Sequence, residues 1–255
     1  MKRTAVITGG TGGLGLALDR VLRRQGWYTV LVDLPGAALD EIESLPERLI
    51  LGCDLTDGKA MRDLCNEIRR VRPAVDLVIY NAGVTQIGAF SDISAAAHRD
   101  VFEINYFAAV NMAREFLMDI RSSKGTHLAI SSVAGFSPLL NRTAYAASKH
   151  ALEGFFKSLR TEERPYGVSC LIAAPSFVAT NTGNPQTRPG GIARPGSAQD
   201  GIDYMSPEVA AKIIVNGYNR RHAFIPVGRV ALLSYLINRL SPALFAWVMN
   251  RQFTR

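Results

Sequence analysis

Cysteine is scarce in this sequence, and the few present do not group. Cys53, Cys65 and Cys170 are odd in number and widely spaced, with no C-x-x-C pair. That excludes a disulfide framework and a cysteine zinc site, so each thiol reads as a small buried apolar group. The four histidines, His98, His127, His150 and His222, lack metal-ligand spacing, and no metal is expected. Long apolar runs are missing as well. No stretch reaches 18 consecutive apolar residues, which excludes a membrane-spanning helix. After Met1-Lys2-Arg3 the chain goes straight into the apolar run Thr4–Thr8, leaving no room for a targeting peptide. A reducing, cytoplasmic setting is expected. Charge of one sign never accumulates into a run of five or six. With 29 Lys and Arg against 22 Asp and Glu, the formal charge of +7 reads as solubility or mild steering of an anionic ligand. No RNA or DNA recognition signature is present, so nucleic acid is not an expected partner.

What is present is an alternation of short apolar runs with longer amphipathic segments. Thr4–Thr8, Tyr28–Val32, Leu49–Cys53, Leu77–Tyr80, His127–Ser131, Val168–Ala173 and Ala223–Pro226 read as strands. Between them, Leu14–Gln25, Leu39–Ser44, Lys59–Arg70, a long segment over about His98–Ile120, Tyr145–Glu163 and Pro207–Arg220 read as helices. Strands separated by helices imply parallel βαβ units, and near-continuous apolar strands imply burial on both faces. The expected fold is α/β, a doubly wound three-layer sandwich of the Rossmann type, with a mostly parallel seven-stranded sheet. No linker or shift in composition divides it, so residues 1–255 read as a single domain. Thr180–Tyr204 breaks the rhythm: it is rich in Gly, Pro, Asn and Thr, has no hydrophobic period, and reads as a mobile substrate lid.

Three features carry chemistry. Thr8-Gly9-Gly10-Thr11-Gly12-Gly13-Leu14-Gly15 joins the first strand to the first helix. Glycines there let the backbone approach a phosphate, whose charge is met by the N–H groups of the helix N-terminus. No Lys-Ser/Thr follows, so this is not a Walker loop; a nucleoside-binding methyltransferase stays open on the loop alone. Asp33 ends the second strand about 20 residues further on, where a carboxylate accepts both ribose hydroxyls and repels a 2′-phosphate. With neither Gly12 nor Leu34 basic, this favours NAD over NADP; a turn-capping aspartate is the alternative. Tyr145 and Lys149 stand four apart in a helical sequence and share a face. An ammonium beside a phenol lowers the phenol's pKa, which makes a general acid/base, although the same spacing also occurs in solvated surface pairs.

Taken together, order and spacing resemble the short-chain dehydrogenase/reductase family, in its single-domain branch, over about residues 4–180. Thr8, Gly9, Gly13 and Gly15 match that family's T-G-x-x-x-G-x-G, with Thr11 and Leu14 inside it. Asp54-Leu55 matches the acidic residue and neighbour at the adenine ring, and Asn81-Ala82-Gly83 the N-A-G at the fourth strand's end. Asn105 lies where the family has its structural and catalytic Asn. Ser132 precedes Tyr145 by 13 residues, as the catalytic Ser does, and Tyr145/Lys149 is the Y-x-x-x-K. Pro175-Ser-Phe-Val178-Ala-Thr180 resembles P-G-x-V-x-T, which holds the nicotinamide end.

The resemblance implies an NAD(H)-dependent oxidoreductase acting on an alcohol/ketone pair. Tyr145 would exchange the proton at substrate oxygen and Ser132 would hydrogen-bond the same oxygen. Lys149 would lower the Tyr145 pKa and bind the nicotinamide ribose, while Asn105 would hold a water linking Lys149 to solvent. Ser176 departs from the usual Gly, and Ser131 beside Ser132 leaves spacing, not chemistry, to select the catalytic serine. The family also implies a homodimer or homotetramer built on the helices around His98–Ile120 and Tyr145–Glu163. A silent dinucleotide-binding regulator has no need of all four catalytic positions. An extended-branch epimerase would carry a further substrate domain, and an enoyl reductase a wider Tyr–Lys spacing.

The substrate is less constrained. Phe136, Leu139, Leu140 and Phe177 suggest a medium to large apolar alcohol or ketone, and Arg142, Arg188 and Arg194 are placed to meet a charged one. Residues 229–255 form two apolar helices, the second opened by Ser241-Pro242 and running through Phe253. The leading reading is packing on the domain or on a partner subunit. A pocket wall and a peripheral membrane contact are the others.

Overall fold

Strand sequences that alternate between two apolar cores explain the architecture. In β1 (Thr4–Thr8), β2 (Tyr28–Asp33) and β4 (Leu77–Tyr80), Val6, Val30, Val32 and Val78 point into one core. Their neighbours Ile7, Leu31, Leu77 and Ile79 point into the other. Burial on both faces makes these runs near-continuously hydrophobic. With β3 (Arg48–Gly52), β6 (Thr126–Ile130), β7 (Ser169–Pro175) and β10 (Phe224–Val227), they form a seven-stranded sheet in the order β10-β7-β6-β4-β1-β2-β3, parallel at every pairing. Helices α1 (Gly13–Arg24) and α8 (Pro207–Asn219) cover one face. Helices α3 (Gly58–Val71), α5 (Ala108–Glu115) and α7 (Thr143–Glu163) cover the other. This is the expected three-layer Rossmann-type sandwich. The computed structural model describes residues 2–180, 187–196 and 203–253.

The structure corrects three expectations. Residues 39–44 do not form a helix; α2 is a single turn, Ala37–Asp40, in which Leu39 is the one well-buried side chain among those described, too little burial to hold a longer helix. The long segment at 98–120 is not one helix. α4 (Ala95–Phe102) passes through a wide turn at Glu103–Phe107 into α5, and a break at Phe116 precedes α6 (Leu117–Ser123). Such wide turns within helices recur at functional sites, and this one contains Asn105. Thr180–Tyr204 is also not devoid of regular structure. Its strands β8 (Thr187–Arg188) and β9 (Ile192–Ala193) join β5 (Thr85–Gln86) in a small antiparallel sheet. The rest of the expected lid, 181–186 and 197–202, lies outside the described residues.

Helices α9 (Arg229–Leu240) and α10 (Pro242–Phe253) form as expected, and Ser241 Oγ accepts the N–H of Leu244 at 3.2 Å. The cysteines are buried free thiols, with burial pushing Cys53 up to about 11 and Cys65 and Cys170 to about 12. His127 is buried against Tyr80, whose hydroxyl lies 2.6 Å from its Nδ1, and burial lowers its pKa to about 4. No metal-binding cluster occurs among the described residues, nor any helix long and apolar enough to cross a membrane.

Candidate active site

The site lies at the carboxyl ends of the central strands. At the end of β1 the chain turns at Gly9, whose φ of +63° favours glycine. Thr8 Oγ1 accepts the N–H groups of Asn81 (3.0 Å) and Ala82 (2.9 Å), and Asn81 Nδ2 donates to the carbonyls of Thr8 and Gly9, both at 3.0 Å. The loop after β4 thus fixes the loop after β1. A Cβ at Gly15 would stand 2.2 Å from the Gly9 carbonyl oxygen, and one at Gly13 would stand 3.3 Å from Thr180. Gly12 caps α1 without a side-chain bond, so first-turn N–H groups such as those of Gly13 and Leu14 face outward for an anion. Past Pro175, at the end of β7, Ser176 Oγ donates to Val227 O at 3.3 Å, which accommodates the serine where glycine was expected. Val178 is buried and bridges to Met205, and Thr180 Oγ1 donates to Pro195 O at 2.8 Å.

Asp33 ends β2 and Asp54 lies two residues past the end of the neighbouring β3, with Cys53 N donating to Asp33 O at 2.8 Å. The Asp33 carboxylate is more engaged than the sequence suggests. Its Oδ2 accepts from Thr11 N (2.9 Å) and Thr11 Oγ1 (2.6 Å), and its Oδ1 from Leu34 N (2.8 Å). About four lone-pair sites exist on a carboxylate, so one remains, too few for the two ribose hydroxyls. Its charge is therefore the stronger discriminator. Asp54 Oδ1 accepts from Thr56 N and Oγ1, closing its own turn, and Leu55 packs on the core beneath.

Tyr145 and Lys149 lie near the start of α7, over the end of β6. Lys149 Nζ donates to Ile130 O at 2.9 Å and stands 5.9 Å from the Tyr145 ring centroid. Asn105 spends its side chain on structure: Oδ1 accepts Val84 N (2.8 Å), while Nδ2 donates to Val84 O and to Ser148 Oγ, both at 2.9 Å. The wide turn thereby locks the 81–84 segment to α7. A Cβ at Gly83 would meet Asn105 Oδ1 at 3.1 Å and Lys149 Nζ at 3.5 Å. The two adjacent serines have different partners. Ser131 Oγ donates to Glu153 Oε1 at 2.8 Å, whereas Ser132 hydrogen-bonds with Tyr145, which pulls the phenol's pKa down.

A model of the family described as short chain dehydrogenase matches residues 3–189. The chain belongs to the short-chain dehydrogenase family. Dehydrogenase/reductase SDR family member 7B of Xenopus laevis is 30% identical over 260 residues, covering 96% of this chain and 80% of that protein. A short chain dehydrogenase from Burkholderia cenocepacia, solved in complex with NADP, shares the fold at TM-score 0.83 and 19% identity, covering 100% of this chain and 98% of its own. One from Burkholderia phymatum, in complex with NAD, does so at TM-score 0.80 and 21% identity, with 95% of each chain covered.

In this short-chain dehydrogenase the electrostatics depart from expectation. Lys149 is not the leading influence on the Tyr145 pKa. Burial raises the phenol above its usual value, and the opposing influences are Ser132 and the positive Arg142. The reason is geometric: a shared helix face brings the Cβ atoms together, but the ammonium reaches past the ring to the Ile130 carbonyl. Burial lowers Lys149 itself to about 8, with Glu153 pulling it back up. Arg142 is buried beside the site, Arg194 is exposed, and the Arg188 side chain lies outside the described residues. Sequence reading missed Glu153. It is 1% exposed, and its Oε2 accepts from Lys157 Nζ at 2.7 Å. Its spacing, four residues past Lys149 on one helix face, was the available signal.

Proposed function

We propose that the chain is an NAD(H)-dependent oxidoreductase interconverting an alcohol and a ketone or aldehyde, with Tyr145 as the acid/base. The observation that carries this reading is the convergence of Ser132, Tyr145 and Lys149 beside a glycine loop in which a Cβ at Gly15 would run into backbone. That loop, the uncapped start of α1 and Asp33 fit a dinucleotide: N–H groups for the pyrophosphate, a carboxylate toward the ribose, and Asp54, Leu55, Asn81–Gly83, Pro175, Val178 and Thr180 around the rest. The bound nicotinamide supplies or accepts the hydride. Tyr145 gives or takes the proton at the substrate oxygen, and Ser132 hydrogen-bonds that oxygen and steadies its developing charge. Lys149 as an ammonium has three donors, one held by Ile130 O, leaving two for a ribose. Phe177, whose ring lies 5.6 Å from that of Tyr204 past the end of β7, favours an apolar substrate. A homodimer or homotetramer through α5 and α7 accords with the exposure of Phe107 on the wide turn that leads into α5.

Asp33 decides the cofactor. Wild type is expected to bind NADH more tightly than NADPH, and Asp33→Ala to lose that preference through weaker NADH binding; fluorescence titration of both dinucleotides reads the outcome. An NADPH preference in wild type would overturn the NAD assignment, and failure to bind either would overturn the enzyme reading.

Burial of Lys149, opposed by Glu153, sets the alkaline limit. Lys149 is an ammonium below about pH 8 and loses its proton above it, so activity that needs the cation falls as pH rises through that region. Glu153→Gln removes the negative charge that favours the ammonium, which moves this limb to lower pH by about one unit or less. A pH–rate profile unchanged in its alkaline limb would show that Glu153 serves the Ser131 segment alone.

A further inference from the structure

Six of the fifteen large hydrophobic side chains exposed among the described residues fall between positions 232 and 247, a density that the rest of the described surface does not approach. Leu232, Leu233, Leu236 and Leu240 recur along one side of α9. Leu240 is 85% exposed and Leu233 59%. The other side of α9 is what holds it to the protein. Ala231 is buried, Tyr235 stacks on Phe224 at 4.4 Å and meets Phe136 at 5.5 Å, and Asn238 Nδ2 donates to Phe136 O. The leucine side therefore faces outward, not inward to a pocket. α10 extends it, with Phe245 buried while Leu244 and Trp247 are exposed.

Charge selects the occupant. From Val209 to Arg255 there is no Asp or Glu, whereas Lys212, Arg220, Arg221, Arg229, Arg239, Arg251 and Arg255 are basic. Arg229 and Arg239 bracket the leucine stripe of α9, and Arg239 Nη1 is held by the Tyr235 hydroxyl at 2.7 Å. A two-fold interface would set this patch against itself, cation facing cation with no acid from residues 209–255 to pair them. A lipid surface has what the patch lacks: acyl chains for the leucines, a headgroup zone for Trp247, and anionic phosphates for arginines that reach back from the apolar stripe.

We propose that the outward face of α9 and α10 docks the protein on an anionic lipid surface, lying in the interface without spanning it. Because α9 packs on Phe136, four residues past Ser132, the docked face and the segment bearing Ser132 form one packed unit. An apolar substrate partitioned into lipid would then be close at hand.

Vesicle co-sedimentation of the full chain tests this, using phosphatidylcholine alone and phosphatidylcholine mixed with phosphatidylglycerol. Wild type is expected to pellet with the mixed vesicles, and less so as salt is raised. The pair Leu233→Glu and Leu240→Glu, at exposed positions, is expected to lower that partition about tenfold or more, with melting temperature and dinucleotide binding unchanged. Wild type remaining in the supernatant with both vesicles overturns the proposal, as does equal pelleting of the double variant. Equal, salt-insensitive pelleting with both vesicle types overturns the anionic assignment. A lipid-free oligomer that the double variant dissociates, seen by light scattering, would assign the face to a second copy and overturn it as well.

Discussion

Tyr145→Phe is expected to keep dinucleotide binding and lose turnover by a factor of about 10² to 10⁴, the usual worth of a positioned acid/base. The substitution removes one oxygen and leaves the ring, so packing at the start of α7 is preserved. What disappears is the proton carried between substrate oxygen and protein. No neighbour replaces it. Ser131 Oγ is committed to Glu153 Oε1 at 2.8 Å, and Lys149 Nζ is turned toward Ile130 O at 2.9 Å. Ser132 is free to stabilise charge on the substrate oxygen but remains protonated at neutral pH. Steady-state rates beside a fluorescence titration of NADH separate the two effects. Turnover equal to wild type would sink the acid/base assignment; loss of NADH binding instead would mean that the phenol hydroxyl serves the cofactor site. Ser131→Ala and Ser132→Ala extend the test, since only the latter is expected to share the turnover loss.

The same residues show where sequence reasoning reaches its limit. Local patterns carried the sheet: each apolar run from Thr4–Thr8 to Phe224–Val227 is a strand, because alternate side chains fill two separate cores. They could not reveal β5, since Thr85–Gln86 gains its partners about a hundred residues later in the chain. Periodicity also hides the wide turn at 103–107, whose apolar spacing continues through it while its geometry turns Asn105 onto Val84. In the site, motif spacing located Tyr145, Lys149 and Ser132, but not their electrostatics. Helical spacing fixes Cβ atoms, whereas the direction of a lysine amine depends on which buried carbonyl it meets. Asp33 shows the same gap: its place at the end of β2 was legible, but the three N–H and O–H groups that occupy its carboxylate come from the folded glycine loop and from Leu34.

That loop carries the second large effect. Gly15→Ala is expected to abolish measurable dinucleotide binding and to destabilise the fold by about 1–3 kcal/mol, the range for an overpacked site. The added Cβ would lie 2.2 Å from the Gly9 carbonyl oxygen and 3.0 Å from Gly10 Cα, so the conflict is with backbone and no rotamer change relieves it. Either α1 moves off β1 or the turn at Gly9 opens. α1 contributes Leu14, Ala17, Leu18 and Leu22 to the core under the sheet, so moving the helix costs packing. Opening the turn instead breaks the bonds from Asn81 Nδ2 to the Thr8 and Gly9 carbonyls, and with them the alignment of the two loops that flank the cofactor. Both routes displace the first-turn N–H groups on which a pyrophosphate depends. Gly12→Ala is the matched control, because its Cβ would meet Gly9 O at 3.4 Å, an ordinary contact. Thermal melting and NADH titration of the pair distinguish the cases. If Gly15→Ala binds NADH as wild type does, the close approach of α1 to the first turn is not what builds the phosphate site.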